Sequence, residues 1–230
     1  MTKPHGEEME PVRGGKPERT GSFCAGTALV LGLTGGIATG KTTVAEMLRS
    51  LGAKVISADD IVHAMFEPGT PVWHAVVREF GDGILTCDKR IDRAKLGKLV
   101  FGDPVAREKL EAMVHPPVLE YLHREAERFR SSGEGVLVLE IPLLVETSSF
   151  SLVDKVLVVS AEQETQIRRL ERRNRVSREE AIRRISSQRP MTEKIRHADW
   201  VVTTDGALRA TKEQVSKVWD DIQNLLAQPG

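Results

Sequence analysis

The sequence predicts an α/β fold, a doubly wound parallel sheet of the P-loop nucleoside-triphosphate-binding kind, with helices on both faces. Three observations predict it. Apolar runs at 29–33, 54–56, 135–141, 154–159 and 200–203 alternate with stretches of helical period. The runs are rich in Val, Leu and Ile without strict alternation, as in strands covered on both faces. The first run feeds a glycine-rich segment that opens a helical pattern, the arrangement of a phosphate-binding strand–loop–helix unit.

Taken in order, residues 1–26 mix Gly, Pro and charge with almost no periodic apolar positions, which predicts a disordered tail ahead of one domain over 27–228. After the strand at 29–33, the segment from Lys41 places Val44, Met47, Leu48 and Leu51 along one helical side, and Leu51-Gly52 ends it. Asp59 is a candidate cap for the second helix. Between about 67 and 130 no strand is evident, and helical patterns start near Pro71, Asp92 and Asp103. This reads as a helical insertion, either the pocket for an acceptor or plain structural cover. After the fourth strand, an arginine-rich stretch over about 162–190 has Ser177 and Glu180 spaced as a capping box.

Composition excludes several classes. The 33 basic and 33 acidic residues cancel, so no whole-molecule field points to nucleic acid or a membrane surface. Cys24 and Cys87 have neither CxxC nor Cys/His spacing, which argues against a disulfide framework or a zinc site. No apolar run approaches the roughly 18 residues of a spanning helix. These features predict a cytoplasmic chain without a nucleic-acid or membrane partner; a monomer or small homo-oligomer is the expected state.

Gly35, Gly36, Ile37, Ala38, Thr39, Gly40, Lys41 and Thr42 satisfy G-x-x-x-x-G-K-[ST] at every required position. Glycines let the backbone fold around phosphate and aim N–H groups at it, and the helix start adds partial positive charge. Lys41 is expected on the β- and γ-phosphates of ATP and the Thr42 hydroxyl on Mg²⁺, with Thr43 beside the nucleotide.

Phosphoryl transfer further needs a group to orient the attacking hydroxyl and positive charge for the moving phosphoryl. No N-K-x-D segment for reading guanine is present, so adenine nucleotide is the expected donor. Asp59 lies just past the second strand, at the carboxyl edge where such sheets bind ligands, and reads as a base or as a helix cap. Glu140 ends the third strand and reads as a metal-supporting acid or a surface carboxylate. Gln166, Arg169 and Arg173 share a helical face opposite Ile167 and Leu170, either as a phosphate-closing lid or as a solvated face paired with Glu164, Glu171 and Glu179. The residues alone leave open a P-loop small-molecule kinase, a nucleotide kinase and a non-catalytic nucleotide-dependent module.

The ordered segments narrow this. Leu33-Thr34-Gly35-Gly36-Ile37 before Gly40-Lys41-Thr42, Ala58-Asp59, Glu67-Pro68-Gly69, His115-Pro116, Pro142-Leu143-Leu144 with Glu146, Gln166 with Arg169 and Arg173, Arg184-Ile185 with Gln188, and Ala198-Asp199 together resemble the dephospho-coenzyme A kinase family over about 31–224. The resemblance implies MgATP-dependent phosphorylation of the ribose 3′-hydroxyl of dephospho-coenzyme A, the last step of coenzyme A synthesis. It implies Asp59 as catalytic carboxylate, Lys41 and Thr42 as phosphate and metal contacts, Arg169 and Arg173 as lid charges, and His115 near the acceptor. Alone, a histidine before proline reads as the end or bend of a helix. Three positions depart from the family pattern: Ser57 stands for its usual first Asp of Asp-x-Asp, Asn174 for an Asp, and Thr204-Asp205-Gly206 for an Asn-containing turn.

Overall fold

The computed structural model describes residues 28–132 and 134–228; the expected N-terminal tail and Cys24 lie outside them. The chain runs β1 (Ala28–Gly35), α1 (Lys41–Ser50), β2 (Lys54–Ser57), α2 (Ala58–Met65), α3 (Pro71–Phe80), α4 (Arg93–Gly102), α5 (Pro104–Ser132), β3 (Gly135–Glu140), β4 (Lys155–Ser160), α6 (Gln163–Asn174), α7 (Arg178–Ser186), α8 (Met191–Arg196), β5 (Trp200–Thr203) and α9 (Leu208–Leu226). The five strands form one parallel sheet in the order β2-β3-β1-β4-β5. Each expected apolar run is a strand, with two ends trimmed. Ile141 leaves β3 while its N–H still bonds Leu33, and Asp154 stands before β4 because its carboxylate accepts the Val30 N–H at 2.7 Å.

The alternation of side chains along each strand divides the core in two. On one face Leu29, Leu31 and Leu33 of β1 pack with Val136, Val138, Leu157 and Val159 beneath α1 and α9. On the other, Val30, Leu137, Leu139, Val156 and Val158 meet α2, α3 and α5 through Ile61, Val76, Val118 and Leu122. Gly32 belongs to that second face, where a β-carbon would stand 2.9 Å from Leu144 Cδ2, so a side chain there would displace Leu144 and Val153 from the core. A third, smaller cluster of Ile167, Leu170 and Ala181 seats α6 and α7 against Ile37 and Ala38.

Three local expectations are corrected. Ser57, not Asp59, caps α2: its Oγ accepts the Asp60 N–H, and Asp59 falls in the first turn. The His115-Pro116 pair does not end a helix, because α5 continues through Pro116 and Pro117 to Ser132. The Ser177 box is half made: Ser177 accepts the Glu180 N–H at 3.2 Å, but the Glu180 carboxylate turns to Arg183 and Arg184.

Candidate active site

The parallel order brings the carboxyl ends of β1, β2, β3 and β4 to one edge, and the glycine-rich loop leaves β1 there. Two backbone positions require glycine. Gly35 has φ +154°, and a β-carbon on it would stand 2.2 Å from the Val159 carbonyl; Gly40 caps α1 in the left-handed region at φ +90°. The loop tip is pinned by distant side chains. Gln188 Oε1 accepts the Ile37 N–H at 2.7 Å, Gln166 Nε2 donates to the Ile37 carbonyl at 2.7 Å, and Arg169 donates to the Ala38 carbonyl at 3.1 Å. Thr39 is fully buried, with its hydroxyl on the Gly36 carbonyl.

Lys41 closes on its own loop, with Nζ donating to the carbonyls of Gly35 (3.2 Å) and Gly36 (2.8 Å). Burial pulls its ammonium down to about 8; Glu140 and Asp59 oppose the shift while Lys194 and Arg173 add to it. Thr42 Oγ1 donates to Glu140 Oε1 at 3.5 Å. Burial raises the Glu140 carboxyl above its ordinary range, against the pull of Lys41. Glu140 pairs in register with Ser57, so the two strand ends present Glu140 and the start of α2 side by side.

Two cavities flank this centre. One, of about 120 Å³, is walled by Asp59, Val62, His115, Leu119, Pro142 and Leu143. Asp59 enters it with no hydrogen bond or ion pair to any of the described residues. The other, of about 530 Å³, is lined by Gly40, Thr43, Arg169, Arg173, Thr204 and Leu208. Asp59 and His115 thus share the first cavity, and Thr43, Arg169 and Arg173 share the second.

Arg169 is not a free cation. Its guanidinium is divided between the Ala38 carbonyl and Thr204, whose own hydroxyl donates to the Thr39 carbonyl at 2.7 Å. Arg173 is exposed, with Nε on Asn174 Oδ1 at 3.0 Å. Of the acids weighed as partners for the arginines, Glu164 pairs with Arg178 at 2.6 Å. The turn after β5 also proves structural, since Asp205 accepts the Glu162 N–H at the start of α6. One residue near the site went unread in the sequence: Lys194, fully buried beside the loop. Its signal was a lysine on the apolar side of a short helical period with Met191 and Ala198.

An anion loop at the switch edge of a parallel sheet, a lysine and a hydroxyl at its helix start, and separate cavities on either side define a P-loop kinase. A family model for dephospho-CoA kinase matches residues 29–210. The dephospho-CoA kinase of Symbiobacterium thermophilum is 47% identical over 190 residues, covering 83% of this chain and 80% of the relative. That of Geobacillus kaustophilus is 45% identical over 198 residues, covering 85% and 98%. The solved dephospho-CoA kinase of Campylobacter jejuni superposes with a TM-score of 0.65 at 28% identity, covering 86% of this chain and 98% of that one. The chain belongs to the dephospho-CoA kinase family, the kinases that complete coenzyme A synthesis.

Proposed function

We propose that this chain transfers the γ-phosphoryl group of ATP to the ribose 3′-hydroxyl of dephospho-coenzyme A, with Asp59 as the carboxylate that receives the hydroxyl proton. The observation that carries this reading is that Asp59 and His115 wall one cavity while Gly40, Thr43, Arg169 and Arg173 line another at the start of α1, where the glycine-rich loop ends in Lys41. The larger cavity takes the nucleoside of ATP beside Arg169, Thr204 and Thr43, and the glycine-rich loop takes its phosphates. The smaller cavity admits the acceptor ribose between Asp59 and His115.

In the transfer, the 3′-oxygen forms a bond to the γ-phosphorus as the bond from that phosphorus to the β–γ bridging oxygen breaks, and ADP leaves. Asp59 accepts the proton from its place in the wall of the smaller cavity, where its carboxylate faces the acceptor ribose and lies within the electrostatic reach of Lys41. Lys41 and Arg173 meet the negative charge of the transferring group. Arg169 acts through the loop it holds as well as through its charge.

Thr42 and Glu140 fit a divalent cation of the Mg²⁺ type: both offer hard oxygen, and the Thr42 hydroxyl stands 3.5 Å from Glu140 Oε1 at the end of β3. They would hold it together with phosphate oxygens, and it would neutralise charge on the β- and γ-phosphates. The helix-rich segment of α2 to α5 serves as the acceptor side and α6 with α7 as the lid. Among the described residues no helix is long and apolar enough to cross a membrane, and the reducing cytoplasm suits the exposed thiol of Cys87.

The test is a panel of acceptors, with ADP release followed for dephospho-coenzyme A, nucleoside monophosphates and shikimate. Dephospho-coenzyme A is expected to give the highest kcat/KM, with the new phosphate on the 3′-oxygen by ³¹P NMR. A preference for another acceptor, or binding of ATP without turnover on any, would overturn the assignment.

A further inference from the structure

The loop after β3 and the segment joining α7 to α8 meet at one buried ion pair. Lys194 on α8 is fully buried, and its Nζ donates to Glu146 Oε1 at 2.5 Å. The same oxygen accepts the Arg189 N–H at 3.4 Å. The other oxygen, Glu146 Oε2, is buried and has no hydrogen-bond partner among the described residues. Such a pair is a poor device for stability, since both ions lose water and one oxygen gains nothing in return.

Its position is more informative. Glu146 belongs to the loop whose Ile141, Pro142, Leu143 and Thr147 wall the cavity of Asp59, although Glu146 itself does not line it. Lys194 belongs to the segment that carries Gln188, bonded to the Ile37 N–H at 2.7 Å. That segment also carries Met191, whose methyl stands 3.1 Å from the point a β-carbon on Gly36 would occupy. One ion pair therefore links the wall of the acceptor cavity to the tip of the phosphate loop. The Lys194 charge acts in addition on Lys41.

We propose that the Glu146–Lys194 pair couples the acceptor cavity to the phosphate loop, so that a ligand in either site strengthens binding in the other. The inference rests on the acceptor reading above. Both members are positioning residues, since neither lines either cavity. The unused Glu146 oxygen stands beside the one that Lys194 holds, a second seat on the same carboxylate that would keep the charge contact were the two loops to change their spacing. A ligand that favours one spacing then favours it for both sites, and the effect is reciprocal.

The experiment is calorimetric titration of the full chain with dephospho-coenzyme A, with and without a non-hydrolysable ATP analogue. In the wild type the analogue is expected to tighten acceptor binding by about tenfold, and the acceptor to tighten analogue binding equally. Glu146→Gln and Lys194→Met are expected to keep each separate Kd within about threefold while the coupling falls to near one, and Lys194→Arg to retain part of it. A wild type with equal affinities in the two titrations overturns the coupling, as do variants with wild-type coupling. The wild-type titrations stand even where a variant fails to fold. A wild type that binds no dephospho-coenzyme A in either titration overturns the acceptor reading instead, and the coupling with it.

Discussion

Arg169 and Thr204 are joined twice: the guanidinium donates to the threonine hydroxyl at 2.9 Å and to its carbonyl at 2.5 Å, while also reaching the Ala38 carbonyl. An arginine in that position holds the phosphate loop to the end of β5 before any ligand arrives. Arg169→Ala is therefore expected to raise the KM for ATP as well as to lower kcat by about 10²-fold or more. Thr204→Val removes the hydroxyl contacts to Thr39, Arg169 and Ser160 and keeps the carbonyl contact to Arg169, and a rise in ATP KM of about threefold to tenfold with a smaller loss of kcat is expected. Steady-state kinetics on both variants separates anchoring from charge; an unchanged kcat in Arg169→Ala would leave it as an anchor alone.

Asp59 stands in the small cavity and outside the phosphate loop. Asp59→Asn is thus expected to bind ATP with nearly wild-type affinity and to lose about 10² to 10⁴ in kcat, the usual contribution of a positioned acid or base. Single-turnover phosphoryl transfer beside equilibrium nucleotide binding checks both halves, and a near-normal kcat would remove Asp59 from the chemistry.

Lys41 gives a pH dependence with two signs. Its folded value of about 8 lies below the ordinary 10.5, so the ammonium proposed to meet phosphate is lost as pH rises through 8. Nucleotide affinity is expected to weaken by up to about tenfold per pH unit above that point, and binding near pH 8 to take up a proton. Calorimetry in buffers of different ionisation heat measures the uptake, and Lys41→Arg should flatten the profile because arginine stays charged. For the ligand-free fold the sign reverses. Between about 8 and 10.5 the unfolded chain holds more protons at this group, so its contribution to stability improves as pH rises through that window.

Gly36 is kept small by its neighbours, not by its backbone angle. A β-carbon there would meet Gln166 Nε2 at 2.7 Å, the end of a side chain able to move at the expense of its bond to Ile37. Gly36→Ala is expected to weaken ATP binding by about tenfold. The double variant Gly36→Ala with Gln166→Ala should lose less than the sum of the single effects, because the two changes remove one contact. Gly35→Ala has no such relief, since its β-carbon would meet the backbone carbonyl of Val159 at 2.2 Å. Fluorescent-nucleotide titration of the four variants tests the ranking.

The sheet and the phosphate loop were legible in the sequence because buried parallel strands are nearly all apolar, and because a loop that wraps phosphate must spend glycines at fixed spacing. Chain pairing across the site was not legible. That Gln166 and Gln188 would serve the two polar groups of Ile37 follows from tertiary placement, and nothing local in either glutamine signals it. Ser57 stands where the family pattern has an acid, and in the fold it does what an aspartate at that position also does, accepting an N–H at a helix start. The run of α5 through two prolines shows a local rule overridden by packing, with Val114, Val118 and Leu122 buried on either side of the break in bonding. Lys194 is not legible in the sequence because a single buried lysine has no periodic signature apart from displacing an apolar residue.

The partners that fasten the tip of the phosphate loop enter it from far down the chain, 129 positions away for Gln166, 151 for Gln188 and 165 for the Thr204 contact. A chain leaving the ribosome consequently carries the whole glycine-rich motif long before it carries the loop's supports. The motif is written early, and the site is assembled late. Loop closure over so many residues is slow compared with forming α1. Nucleotide competence thus waits for β5 and the residue after it, and a fragment stopped before β5 is expected to display the motif without the grip on ATP.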